Sequence, residues 1–433
     1  MSSGRVSSLL RVGGAAGFAC IIVAEAHAGG FAIREQSACG QGASFAGVAA
    51  GGCDISSMFW NPATMTQFAG AQVAISASGI FGNSKNSPDA TTPLAGFGGT
   101  GNVAESALVP GSYFSYQVSP NFWVGMSVNA PFGLSVNFPG VWAGMEYAQG
   151  GSHLRTYNAT PSIAWQINNW ISVGAGVQIM YSDAGLTRNA VIAAGPTFGT
   201  AHLEGNAWSY GFTAGVTLTP TPTTTIGLGW RSAMDVDLDG TLRLGGTPFQ
   251  GAPVDLTVKL PDVVSLGIRQ QLGPQWTLLG TVEWSHWSRI GTSVVNGSPV
   301  PGGTTVAFEY DDGWFFALGA EYRWTPALAV RAGIGYEISP VTDDVRTPLV
   351  PDNDRLWLSA GMSVNITPAL KLDFAYSHIF VKDAPINIVP GHPAFGAIPY
   401  TGTVESHVDI VTVGLSYSWG APAPVRQTAL VTK

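Results

Sequence analysis

Leu328-Ala329-Val330-Arg331-Ala332-Gly333-Ile334-Gly335-Tyr336-Glu337-Ile338 separates, residue by residue, into two unlike sets. One face carries Leu328, Val330, Ala332, Ile334, Tyr336 and Ile338; the other carries Arg331, Gly333, Gly335 and Glu337. Side chains alternate faces along a strand, so the first set suits lipid and the second a polar or filled interior. The same split recurs in 171–181, 264–269, 276–283, 314–324, 370–380 and 411–419. A soluble two-sheet sandwich also alternates, but its outward face should be charged rather than glycine and serine with scattered charges.

Composition points the same way. A chain of 433 residues would make two or three soluble domains, yet only 11% of it is charged, against about 25% in ordinary soluble proteins. The net charge of -8 and the lack of any Lys/Arg cluster exclude nucleic acid as a partner. Arg5 and Arg11 precede an apolar run from Val12 to Ala24, and Ala26-His27-Ala28 supplies a signal-peptidase site, so residues 1–28 read as a signal peptide and Gly29 as the mature start. Beyond it no run of about 18 apolar residues occurs, which excludes spanning helices. A closed β-barrel in a Gram-negative outer membrane is the remaining way for such a chain to cross a bilayer.

The connections give the strand count. Short turns fall at Ser119-Pro120-Asn121, Asn168-Asn169, 220–223, Gly273-Pro274, Thr325-Pro326 and Thr367-Pro368. Long loops alternate with them, at 84–104, 131–152, 183–203, 237–253, 290–304, 339–354 and 383–403. Six turns and seven loops require 14 strands between residues 69 and 419, with both ends on the short-turn, periplasmic side. Trp123, Trp170, Trp276 and Trp324, near short turns, are expected to form an interfacial girdle. Residues 420–433 read as a periplasmic tail. The fold class is therefore all-β: a 14-stranded antiparallel transmembrane β-barrel.

Residues 29–68, GGFAIREQSACGQGASFAGVAAGGCDISSMFWNPATMTQF, show neither helical nor strand periodicity. Rich in Gly, Ala and Ser, they cannot form a core alone and need something to surround them. A barrel this wide has room for a plug, so these residues are expected to form an N-terminal hatch inside the lumen. Cys39 and Cys53, the two mature cysteines, both lie in it. In an oxidising compartment they either pair or stay free; two thiols without a nearby His do not suggest metal.

Gly30-Phe31, Glu35-Gln36-Ser37, Gly40, Gly42, Ala46-Gly47 and Asn61-Pro62-Ala63, followed by Leu260-Pro261-Asp262, 318–322, Arg331-Ala332-Gly333, Ser339-Pro340 and 351–361, resemble, in order, the FadL family of outer-membrane transporters for long-chain fatty acids and aromatic or aliphatic hydrocarbons. The resemblance spans the mature chain. It implies capture at apolar outer loops, a deeper pocket lined by Phe31 at the hatch N-terminus, and lateral release into outer-membrane lipid through a kinked third strand at Asn129-Ala130-Pro131-Phe132-Gly133. Asn61, Pro62 and Ala63 would belong to the hatch. Pro131 cannot donate to a ladder and Gly133 has no side chain to fill a wall, which fits an opening; alternatively Pro131 merely starts the next loop. Arg188 is placed to meet a carboxylate, whereas Asp311-Asp312 would repel one and so favour a neutral hydrocarbon.

In the loop after Pro131, Phe138, Val141, Trp142 and Met145 recur as one face of a short helix that Pro139 could begin. That face either packs on neighbouring loops or forms a landing groove for apolar ligand. Inward charges, among them Arg269, Glu283, Glu321, Arg331, Glu337, Lys371 and Asp373, are expected to pair with one another. No nucleophile motif accompanies His153, His286, His378 or His407, so an enzyme is not expected. The leading reading is passive uptake of a hydrophobic small molecule by a monomer, without a cofactor because transfer into hydrocarbon is itself favourable. A general or weakly selective porin is the alternative.

Overall fold

The computed structural model describes residues 29–191, 198–245, 250–299 and 304–419. The signal peptide and the tail read from the sequence lie outside these residues. Among them, fourteen antiparallel strands close into a barrel. They are β1 (Ala71–Pro88), β2 (Ala107–Ser119), β3 (Phe122–Asn129 and Gly133–Phe138), β4 (Gly150–Gln166), β5 (Ile171–Val191), β6 (Phe198–Thr221), β7 (Thr224–Arg231 and Met234–Leu244), β8 (Gln250–Leu260 and Val263–Leu272), β9 (Trp276–Ser285), β10 (Gly313–Arg323), β11 (Leu328–Ile338), β12 (Arg355–Asn365), β13 (Leu370–Val381 and Ala384–Ile388) and β14 (Tyr400–Trp419). Closure comes from β1 on β14, in register from Ala71 opposite Trp419 to Pro88 opposite Gly402. No described helix is long and apolar enough to cross a membrane.

The two faces separate as period-two alternation demands. Ile334, Leu318, Phe212 and Leu278 stand exposed on the outside, while Ser78, Ser115, Gln178 and Thr412 are buried within. Two aromatic girdles ring the exterior: Trp165, Trp170, Trp276, Trp324 and Trp419 near the short turns, and Trp208, Tyr210, Trp230, Trp314 and Tyr336 toward the other rim. Trp123 departs from expectation. It faces the lumen, almost fully buried, and its Nε1 donates to the Phe68 carbonyl at 2.8 Å, because the hatch ends beside it.

Strands also run further outward than the turn residues suggest. Residues 183–203 and 237–253, read as loops, are largely strand. There Val236, Leu238, Leu242 and Leu244 point inward and are buried, while Asp235, Asp237 and Asp239 are exposed on the other face. An acidic outer face cannot meet lipid, so this part of the wall stands above the membrane.

Residues 29–68 fill the lumen. They form a short helix α1 (Ala38–Gln41) and three 3-10 turns, and nearly every side chain is buried. The wall glycines explain how irregular backbone fits there. A Cβ on Gly227 would lie 1.8 Å from the Ala49 carbonyl oxygen, and one on Gly333 2.2 Å from that of Ala43, so the hatch backbone occupies space that wall side chains leave free. Asn61 then fastens it. Its Oδ1 caps the Ala63 N–H and its Nδ2 donates to Ala49 and, on β6, Val216. Cys39 and Cys53 are joined in a disulfide, closing a loop of the hatch.

The inward charges do pair. Arg331 bonds Glu321 at 2.7 Å, Arg269 reaches the same carboxylate at 3.5 Å, and Lys371 lies between Asp373 at 3.1 Å and hatch Asp54 at 3.4 Å. Of these, the Lys371–Asp54 pair fastens hatch to wall, while the others compensate charges within the wall.

Candidate functional site

The site begins at a defect in the wall. β3 stops at Asn129 and resumes at Gly133, so Pro131 sits inside a strand rather than starting a loop. Asn129 pairs with Asn158 and Gly133 with Arg155 on β4, which leaves three residues, 130–132, facing two. The extra residue bows the strand and frees its ladder groups.

The hatch N-terminus takes up those groups. Ile33 N–H donates to the Pro131 carbonyl at 2.8 Å, and Gly133 N–H donates to the Phe31 carbonyl at 2.9 Å. Gln36 Nε2 donates to the Ala130 carbonyl at 2.8 Å. Ile33 Cδ1 stands 2.7 Å from where a Gly133 Cβ would be, so hatch replaces wall at that point. Arg34 anchors the segment, bonding Glu283 at 2.6 Å and Glu337 at 3.5 Å over the Phe315 ring.

Phe31 connects this seal to a cavity. Its ring meets Trp287 edge-on at 4.7 Å, with Phe308 at 6.2 Å and Phe132 at 6.4 Å. Above it lies an inner cavity of about 130 Å³, walled almost wholly by apolar side chains, including Leu134, Leu154, Leu186, Leu203, Val236, Leu238, Val254, Leu256 and Phe308. An outer cavity of about 470 Å³ adjoins it, sharing Leu186, Leu203, Val306, Phe308, Leu349 and Val350. The outer one is more polar, with Glu146, Tyr147, Arg188, Asn189 and Thr305 in its lining. The pair can hold an amphiphile with its apolar end inward.

Polar groups in the outer cavity are fixed unevenly. Glu146 accepts from Ala397 N–H at 2.6 Å and Ile398 N–H at 2.9 Å. Burial, and after it the neighbouring Glu146, raises the Tyr147 hydroxyl, which stays protonated and donates to the Ile398 carbonyl at 2.6 Å. Among the described residues no hydrogen bond or ion pair occupies the Arg188 guanidinium, which lines the outer cavity.

Of the residues singled out from sequence, Phe31 lines the inner cavity, Arg188 the outer one, and 130–133 meet the hatch beside Phe31. Phe138, Trp142 and Met145 do not join them. Trp142 is fully buried, stacked on Phe138 at 5.5 Å and edge-on to Tyr400, with its Nε1 donating to the Ala148 carbonyl at 2.8 Å. Residues 140–147 are bends and turns, not a helix; Phe138, Trp142 and Met145 pack in the core of the outer loops and line neither cavity, while Val141 is exposed. Asp311-Asp312 also lie off the path. Asp312 accepts from Trp284 Nε1 at 3.0 Å and from Ser288 N–H at 3.1 Å, so the repulsion expected of it is not directed at a ligand in either cavity. Sequence reasoning does not single out the cavity walls on β7 and β8; the alternation of Val236 and Leu238, and of Val254 and Leu256, is the available signal.

Comparison with known proteins decides what such a plugged barrel is. Residues 19–419 match the model of the outer membrane protein transport protein family (OMPP1/FadL/TodX). The chain belongs to that family. It is a FadL/TodX-type transporter of hydrophobic substrates in the Gram-negative outer membrane, and its relatives are transporters, not enzymes. Long-chain fatty acid transport protein of Escherichia coli O6:H1 (strain CFT073) is 28% identical over 400 residues, covering 83% of this chain and 88% of that one. Outer membrane protein P1 of Haemophilus influenzae (strain Rd) is 28% identical over 446 residues, covering 91% and 96%. In fold, a Pseudomonas aeruginosa FadL homologue superposes with a TM-score of 0.80 at 22% identity, over 90% of this chain and 99% of that one. The Pseudomonas putida toluene transporter TodX gives 0.68 at 14% identity, over 90% and 100%.

Proposed function

We propose that this FadL-family barrel takes up long-chain fatty acids in three stages. The acid enters the outer cavity, where Arg188 meets its carboxylate. Its chain lies in the inner cavity against Phe31. Withdrawal of Phe31–Ile33 then opens the break in β3, and the ligand leaves sideways into lipid. No energy source is required, since burying the chain in hydrocarbon is favourable by about 0.8 kcal/mol per CH₂. The observation that carries this reading is that Phe31 does two things at once: its ring closes the inner cavity, and its carbonyl closes the break in the wall. A ligand pressing on that ring therefore acts on the seal.

Deleting Pro131 tests it. With that residue gone, Ala130 and Phe132 face Tyr157 and Thr156 one to one, and β3 can pair with β4 without interruption. Cells carrying the deletion should fail to take up oleate, while the purified protein still binds it. Uptake at the parental rate would overturn lateral release through β3.

A further inference from the structure

Glu35 lies two residues beyond Ile33, on the hatch rather than on a membrane-spanning strand, and is 1% exposed. Among the described residues neither of its carboxyl oxygens receives a hydrogen bond. The groups around it are committed elsewhere. Arg34, next in the chain, turns to Glu283 of β9 and Glu337 of β11. Glu337 also accepts from Gly29 N–H and Trp357 Nε1. Arg355 of β12 is paired with Asp352 of the preceding loop. From β1, the Ser78 hydroxyl donates to the carbonyl of Glu35, not to its carboxyl, and Tyr113 of β2 gives its proton to the Gln36 carbonyl. The charged groups that act on Glu35 are thus Arg34, Glu337 and Arg355, and they partly cancel.

A carboxylate so enclosed, with no neighbouring residue donating to it, is costly, so burial favours the protonated form. Burial outweighs the opposing pull of its own backbone N–H and of Arg34, and raises the carboxyl to about 7. In water the ordinary value of such a carboxyl is 4.5.

We propose that Glu35 is a proton-bearing catch on the hatch: protonated while Phe31–Ile33 seals the break in β3, ionised once that segment withdraws, so that opening releases a proton. This rests on the reading of 29–36 as a moving seal. The sign follows from the raised value in the closed form. Below pH 4.5 both forms are protonated and the seal is at full strength. As pH rises toward about 7 the open form alone ionises and the seal weakens; above that both are ionised and nothing further changes. The opening equilibrium should grow by roughly 300-fold across the window, the ratio set by 4.5 and about 7.

Amide hydrogen exchange of Ile33 and Gly133 in the full chain measures it, from pH 4.5 to about 8, with rates divided by those of the exposed turn residues Gly273 and Gln275 to remove intrinsic base catalysis. The parent should show the rise, Glu35→Gln should be flat and more protected at the upper end, and Glu35→Asp should keep a rise. A flat parent, or an unchanged slope in Glu35→Gln, overturns the proposal. Opening on addition of oleate at every pH, without pH dependence, defeats Glu35 and leaves the seal intact as an idea. Amides that never open, with or without oleate, defeat both.

Discussion

The break in β3 is best compared with the paired breaks in β7 and β8. β7 is interrupted at Ser232-Ala233 and β8 at Pro261-Asp262, so backbone groups are freed there too. The wall satisfies them from its own sequence. Asp262 Oδ1 accepts from Ala233 N–H at 3.0 Å and from Trp230 Nε1 at 3.3 Å, and the Asp262 carbonyl accepts from His286 N–H at 2.9 Å. The Ser232 N–H and Oγ bond the backbone of Phe212. At the break in β3, Thr156 of β4 plays such a part, bonding the Phe132 N–H and carbonyl, and hatch residues Phe31, Ile33 and Gln36 supply further partners. One bend is held by partners within the wall itself; the other takes most of its partners from the hatch. Buried backbone groups need partners either way, and what differs is whether the partner is part of the wall.

Removing the hatch should therefore open β3 and spare β7 and β8. Gly227→Val does so most severely, since even a Cβ there would sit 1.8 Å from the Ala49 oxygen. Planar-bilayer recordings should show large, long-lived openings in this variant and small currents in the parent. An equally quiet variant would mean the hatch yields at that contact.

The next largest effect concerns the hatch itself. The Cys39–Cys53 disulfide spans 14 residues, and a closure of that length is worth about 3 kcal/mol. The double serine variant should exchange amides 40–52 faster, with Ile33 unchanged, because the seal at 29–36 lies outside the closed loop. Equal acceleration of both would show that the hatch moves as one piece.

Asp262→Ala probes the bend held within the wall. It leaves the Ala233 N–H and the Trp230 indole N–H without their acceptor, at a cost of about 1–3 kcal/mol. Thermal unfolding in detergent should shift down while oleate uptake at permissive temperature persists. The Pro131 deletion should do the reverse.

How much of this was legible in the sequence follows from what each residue touches. Strand number and turn positions could be read because alternation is local, and 328–338 shows it without help. The hatch could be recognised as irregular, and its seat on the wall was implied by glycines such as Gly227 and Gly333, whose reason is a backbone more than 170 residues away. The inner cavity was not legible. Its walls come from β3 to β8 and the 304–310 and 349–350 segments, and a buried Leu238 looks the same in sequence whether it meets a ligand or another side chain. Trp142 misled for the same reason: apolar residues on an outer loop fit a groove and a loop core equally well, and only the packing against Phe138 and Tyr400 separates them.

Arg188 gives the smallest expected effect and sharpens the comparison at its other end. If the β3 break is an exit for anything apolar, selectivity for an acid has to arise at the entrance, where the outer cavity carries this guanidinium without a bonded partner among the described residues. A charge-assisted hydrogen bond is worth about 1.5–3 kcal/mol. Part of that is offset here, because Glu146 lies in the same cavity and already balances the charge. Arg188→Ala should thus weaken oleate binding by about tenfold, measured by calorimetry, and leave toluene binding unchanged because toluene has no group for the guanidinium to meet. Equal loss for both would make Arg188 a structural support of the cavity, and the preference for acids would then have to come from the backbone N–H groups of Ala397 and Ile398, which Glu146 now occupies.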